Sequence, residues 1–158
     1  RVLYHLPEII QRKNEPVFIV EGEKDADRLL SLGLLSTTNA QGAEKWEDSF
    51  SESLAGRDVV IFPDNDEPGR KHVEKIAVSL WKIARHIKVV DLPGLPAKGD
   101  VSDYLNGHSL TELLDAVKHA SEWSTTKERK TIVNVSLRDF DDLSQEIYDV
   151  LVKSINGD

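Results

Sequence analysis

Asp58-Val59-Val60-Ile61-Phe62-Pro63-Asp64-Asn65-Asp66-Glu67-Pro68-Gly69-Arg70 is the stretch whose reading decides the fold. Val59 to Phe62 is an unbroken apolar run, the pattern of a strand buried on both faces, as in a parallel sheet. It stops at Pro63, and two carboxylates one residue apart, Asp64 and Asp66, follow at once. In open α/β sheets the crevice at the carboxyl ends of the strands is where ligands and ions bind. This strand tip therefore concentrates negative charge at a place where function is expected.

The same arrangement recurs upstream. Val17-Phe18-Ile19-Val20 reads as a strand and runs straight into Glu21-Gly22-Glu23-Lys24-Asp25. From Asp25 the apolar residues Ala26, Leu29, Leu30 and Leu32 have helical spacing, and Gly33 supplies a stop. Leu34 to Thr38 suits a second strand, Asn39 to Ala43 a loop, and the stretch from Trp46 to Leu54 a helix closed by Gly56. Downstream, Val73, Ile76, Ala77, Leu80 and Ala84 predict an amphipathic helix of about four turns. Ile87 to Val90 is a further strand. Leu92 to Gly99 is too rich in proline and glycine for a regular element, so it is read as a loop delivering Asp100-Val101-Ser102-Asp103. Leu110 to Ala120, with Leu113, Leu114 and Val117, closes the series as a helix. Strands alternating with helices predict an α/β fold with a mostly parallel central sheet and right-handed crossovers.

Residues 1–16 read as an N-terminal lead-in and residues 17–123 as the domain proper. The polar stretch from Ser124 to Lys130 lacks apolar periodicity and marks a boundary. Residues 124–158 are expected to form a linker and an extension, with a strand over Thr131–Val135 and a helix beginning near Ser136. With Arg1 at its start and no methionine, the chain is expected to be a piece of something longer.

At 158 residues and 39% apolar content the chain can bury one substantial core. Its 28 acids against 20 bases give a formal charge of -8, so the chain as a whole carries no basic nucleic-acid footprint. Any grip on DNA or RNA must come from metal ions or neighbouring domains. The absence of cysteine excludes a disulfide framework, a cysteine nucleophile and thiolate zinc ligands within these residues, and fits a cytoplasmic protein. No apolar run approaches the roughly 20 residues needed to span a bilayer, and no signal-peptide pattern opens the chain.

A parallel sheet aligns its strand ends, so Glu21, Asp64 with Asp66, and Asp100 with Asp103 are expected on one rim. Converging carboxylates repel one another, and raised pKa values or bound divalent cations relieve the repulsion. Oxygen-only donors select Mg²⁺ or Mn²⁺ over zinc, and magnesium held by a few carboxylates keeps positions open for substrate phosphates. The reaction class this favours is phosphoryl or nucleotidyl transfer. Taken singly, Asp25 or Asp66 is more often a helix-start acid than a ligand; three clusters on one rim are what favour a site. Asp64, Asp66 and Gly69 match positions one, three and six of an EF-hand calcium loop, but Lys75 stands at position twelve and a strand precedes the loop, which rules that reading out. A haloacid-dehalogenase-type phosphatase also places Asp-x-Asp after a strand, but Pro68 and the motif's place in the strand order argue against it.

Val17 to Ala26 and Val60 to Gly69, together with Lys98-Gly99-Asp100-Val101-Ser102-Asp103-Tyr104-Leu105, resemble the Toprim domain of bacterial-type primases, topoisomerases, OLD-family nucleases and recombination proteins. The likeness covers roughly Val17 to Ala120, and its wording is nearest to primases and primase-helicases of phages and mobile elements. It implies a compact Rossmann-like sheet and a set of roles. Glu21 would be the acid or base of nucleotidyl transfer or an outer metal ligand; Asp64 and Asp66 would bind Mg²⁺ or Mn²⁺, in all two ions; Asp25, one helical turn from Glu21, and Asp100 match further metal-site acids. Where such primases often carry Asp-Pro-Asp, this chain separates Asp100 and Asp103 by two residues. Gly22 would let the first turn approach closely and Gly69 would free the helix start. Lys24, Arg70 and Lys71 lie beside the rim as candidates for triphosphate or template phosphates, although lysines at helix starts are commonly just solvated.

The resemblance implies primer synthesis from a DNA template and nucleoside triphosphates, with a zinc-binding domain before this segment and a helicase-like domain after it. Two other readings use the same residues: a metal-dependent Toprim-type nuclease, and a non-catalytic module that binds nucleotide or a replication partner. The five histidines show no ligand spacing, and Trp46, Trp81 and Trp123 read as packing residues.

Overall fold

The structure, a computed structural model, describes residues 1–39 and 45–125. Residues 1–123 form one compact unit and residues 124–158 cluster as a second. The strand and helix expected beyond Thr131, and most of the loop expected after Asn39, fall outside the described residues.

Four strands, β1 (Val17–Ile19), β2 (Ser36–Thr37), β3 (Asp58–Ile61) and β4 (His86–Val89), form a wholly parallel sheet in the order β2-β1-β3-β4. Among the described residues six helices accompany them: α1 (Leu6–Gln11), α2 (Glu23–Ser31), α3 (Asp48–Glu52), α4 (Glu67–Leu80), α5 (Val101–Gly107) and α6 (Leu110–His119). Successive strand residues point to opposite faces, and the two central strands show it. Val17, Ile19, Val59 and Ile61 enter one core with Ile9 of α1, Phe50 of α3 and Val73, Ile76, Ala77 and Leu80 of α4. Phe18, Val20, Val60 and Phe62 enter the other, with Ala26 and Leu29 of α2, Val101 and Tyr104 of α5, and Leu113 of α6. This two-sided burial is why both strands read as continuous apolar runs.

The chain leaves β1 through α2 on one face to reach β2, and leaves β3 through α4 on the other face to reach β4. The strand order therefore reverses between β1 and β3, which makes the crevice beyond their carboxyl ends the topological switch point. Their register pairs Ile19 with Ile61, so the chain segments carrying Glu21 and Asp64 leave the sheet side by side.

Two elements depart from the sequence reading. α4 ends at Leu80, before Ala84, because Trp81 turns to an extended ψ of 126° and Lys82 takes a positive φ of 69°; Trp81 then packs edge-on against Trp123, ring centroids 5.7 Å apart. The second departure is α5. The proline- and glycine-rich loop ends not in a turn but in a helix that starts directly after Asp100, which serves as its N-cap. No helix among the described residues is long and apolar enough to cross a membrane.

Candidate active site

Asp64 leaves the sheet after β3, next to Glu21 after β1, and its carboxyl is pushed up to about 8. Burial is the largest cause, followed by the negative charge of Glu21, the hydrogen bond that Asp64 shares with it, and the charges of Asp25 and Asp100. Carboxylates from three strand ends thus act on Asp64. Asp25, buried in the first turn of α2, is raised chiefly by burial; the Ser102 hydroxyl opposes this, the charge of Asp100 adds to it, and Lys24 opposes it.

Three of the expected acids each give one oxygen to a helix start. Asp66 is the N-cap of α4, and its Oδ1 accepts the Gly69 N–H at 2.7 Å. Asp103, exposed, completes a capping box at the head of α5: its Oδ2 accepts the Asp100 N–H at 3.2 Å, while Asp100 Oδ1 accepts the Asp103 N–H at 2.8 Å. Such reciprocal bonds satisfy two amides that the helix itself leaves without partners. Asp100, not Asp103, is the member of this pair whose charge reaches Asp64 and Asp25. Among the described residues no three acids or histidines gather closely enough to hold one metal ion by themselves.

The cations of the rim are also engaged. Lys24 Nζ lies 3.9 Å from Asp100 Oδ2, Lys71 Nζ lies 2.6 Å from Glu67 one helical turn away, and Arg70 Nη2 donates to Asn65 Oδ1 at 2.8 Å. The Lys24 and Lys71 contacts are exposed and worth little individually, so phosphate oxygens can displace them at small cost. The two glycines differ. A Cβ on Gly69 would stand 2.9 Å from the Asp64 carbonyl and 3.0 Å from Asp66 Oδ1, so only glycine lets the start of α4 close on the acidic loop. Gly22 has an ordinary extended φ of -118°, and a Cβ there would meet Asp25 Oδ2 at 3.3 Å.

Three residues that sequence reasoning passed over belong to this region. Ser102 donates its hydroxyl to Asp25 Oδ1. Asn65 donates through Nδ2 to the carbonyls of Leu95 at 2.9 Å and Pro96 at 3.0 Å. His72, buried on α4, lines a small void with Glu21, Pro63 and Asp64, and neither of its ring nitrogens has a hydrogen-bond partner. Nothing in the spacing of these residues sets them apart; each is recognised only by what the fold brings opposite it.

No family model matches the chain. Over 72 residues it is 35% identical to the Gene 57 protein of Mycobacterium phage D29, a match covering 45% of this chain and 47% of that one. Its fold superposes on the E. coli primase catalytic core with a TM-score of 0.63 and 18% identity, covering 87% of this chain and 45% of that one. The zinc-binding and RNA polymerase domains of the Aquifex aeolicus primase match with a TM-score of 0.62 and 21% identity, over 77% of this chain and 30% of that one. The chain thus spans less than half the length of each of these three proteins. With its four-stranded parallel sheet flanked by helices, this chain has the α/β fold of bacterial primase catalytic cores.

Proposed function

We propose that this chain is the Toprim catalytic module of a DNA primase or primase-helicase, working by Mg²⁺- or Mn²⁺-dependent nucleotidyl transfer in primer synthesis. The observation that carries the reading is the Glu21–Asp64 pair across the β1/β3 switch point, with the Asp64 carboxyl at about 8. Burial and then the charge of Glu21 favour the protonated form of Asp64, at the place where open α/β sheets bind ligands.

The donor set suits a hard cation: it is made of carboxylate oxygens only, and its repulsion is what a divalent charge relieves. Mg²⁺ is commonly held by one or two carboxylates and completed by water and phosphate oxygens. Asp64, Asp66, Asp25 and Asp100 would share two such ions, with Asp100 favoured over Asp103 because its charge is the one that acts on Asp64. When bound, the metal supplies activation of a 3′-hydroxyl and stabilisation of the pyrophosphate leaving group. Glu21, at the tip of β1 beside Asp64, would accept a proton from the attacking hydroxyl. Lys24, Arg70 and Lys71 are placed to exchange their present partners for triphosphate or template phosphates. A net charge of -8 leaves template grip to other parts of the protein, and zinc-binding and helicase-like domains outside this segment fill that role in our reading. The identity to a phage protein supports an origin in a phage or mobile element.

The test is primer synthesis by the intact protein that carries this chain. Asp64→Ala and Glu21→Gln should abolish it while the protein stays folded, and undiminished synthesis in both would overturn the proposal. Cleavage of single-stranded or nicked DNA in Mn²⁺ without nucleotides would assign the site to hydrolysis instead.

A further inference from the structure

We propose that Asn65 is a positioning residue that fixes Asp100 against Asp64 by strapping the Leu95–Gly99 loop onto the Asp64–Asp66 loop. The inference rests on the metal-site reading above and assigns a job to the residue between the two aspartates.

Asn65 spends its amide donors on the neighbouring strand-end loop and its acceptor on Arg70 of α4. An asparagine side chain offers two N–H donors and one acceptor oxygen. Nδ2 donates to Leu95 O at 2.9 Å and to Pro96 O at 3.0 Å, while Oδ1 accepts from Arg70 Nη2 at 2.8 Å. The main chain adds two more bonds: the Asn65 N–H donates to Gly99 O at 2.9 Å, and the Asn65 carbonyl accepts the Lys98 N–H at 3.0 Å. Four bonds therefore join Asn65 to residues 95–99, and the next residue is Asp100.

The loop needs such an anchor. It pairs with no strand, and its proline, Pro96, offers no amide donor. It is also tightly wound: Lys98 has a left-handed φ of 61°, and a Cβ on Gly99 would stand 2.8 Å from the Pro96 ring. A loop folded this closely on itself moves as a body, so the residue that holds it sets where Asp100 emerges. Aspartate at position 65 would present charge to two carbonyls and lose both donors, and serine would offer one donor on a shorter arm.

Mn²⁺ binding to this chain, followed by calorimetry or electron paramagnetic resonance, separates positioning from simple loop stability. Asn65→Ala and the near-isosteric Asn65→Leu should weaken Mn²⁺ binding by about tenfold or more, the usual size of an outer-shell effect on metal affinity. They should also speed hydrogen exchange at the Lys98 amide. Asn65→Gln, which keeps both donors, should recover part of the affinity. Arg85→Ala, which breaks the bidentate pair with Asp58 at the opposite end of β3, serves as the control for stability loss and should leave the affinity unchanged. Asn65 variants that bind Mn²⁺ as tightly as wild type would overturn this inference and leave the metal site standing. A wild-type chain that binds no Mn²⁺ would overturn both.

Discussion

The Ser102 hydroxyl donates to Asp25 Oδ1 inside the junction between α5 and α2. Ser102 is 1% and Asp25 6% exposed, so this bond takes the place of hydration for a buried carboxylate. Arg28, one turn further along α2, closes the same junction by donating to the Ser102 carbonyl at 2.9 Å and to Asn106 Oδ1 at 2.8 Å. The acid of the first strand tip is thus held from the helix that begins at the third.

Ser102→Ala should destabilise the protein by about 1–3 kcal/mol, the range for leaving a buried polar group without its partner. The bond lowers the Asp25 pKa against the upward push of burial, so its loss raises that pKa further. A folded-state carboxyl pKa above its unfolded value weakens folding as pH rises past the unfolded value. The deficit in urea unfolding should therefore be larger at pH 8 than at pH 4. An equal deficit at both would assign the effect to the lost packing of the side chain.

Gly69 and Gly22 flank the acids in similar wording but should respond differently to alanine. At Gly69 the new methyl meets backbone at 2.9 Å, so α4 must back away from Asp64; overpacking of this kind costs typically about 1–3 kcal/mol. At Gly22 the backbone suits any residue, and the nearest atom is the end of the Asp25 side chain at 3.3 Å. Gly22→Ala should change the melting temperature little, and Gly69→Ala should lower it by several degrees. Equal shifts in thermal melts would contradict the steric account.

The central strands were legible because burial on both faces writes itself as Val17–Val20 and Val59–Phe62, with no polar residue to confuse the period. α2 and α6 were legible from apolar spacing. α5 was not, because it is only seven residues long, its apolar positions Val101, Tyr104 and Leu105 follow a loop full of prolines, and its cap is built from the same Asp100 and Asp103 that read as metal ligands. Sequence exposes that a carboxylate stands after a strand but not whether its oxygens face a shared crevice or the next helix's amides. Asp64 took the first course and Asp103 the second, while Asp100 does both, one oxygen capping α5 as its charge reaches Asp64. Asn65 and Ser102 stayed hidden because the loop carbonyls and the carboxylate they donate to lie 30 or more residues away, and His72 because its ring nitrogens have no partner.

His72 carries an imidazole into the core with no partner for either nitrogen, and its pKa falls to about 4 through burial and the nearby charge of Lys75. The ring is neutral in the folded protein, while the unfolded chain takes up a proton below the ordinary value near 6.5. Stability is therefore lost as pH falls from about 6.5 to about 4. His72→Leu removes both the orphaned nitrogens and this proton uptake, so it should raise stability at pH 7 and raise it further at pH 5. A gain that is the same at both pH values would show that the ring is not titrating on unfolding.

Asp64 should show the opposite pH dependence. Its folded carboxyl holds a proton up to about 8, while the unfolded chain releases it near 4, so the metal-free fold weakens as pH rises through that interval. Asp64→Asn imitates the protonated form, and at pH 8 it should be more stable than wild type by about 1 kcal/mol or more, with the advantage disappearing toward pH 4. Adding Mg²⁺ at pH 8 should raise the wild-type melting temperature, because an ion that binds only the folded state stabilises it, and should do so far less for the variant. Parallel melting profiles for the two proteins across pH 4–8, with and without Mg²⁺, would mean that Asp64 does not bear the repulsion a cation would relieve.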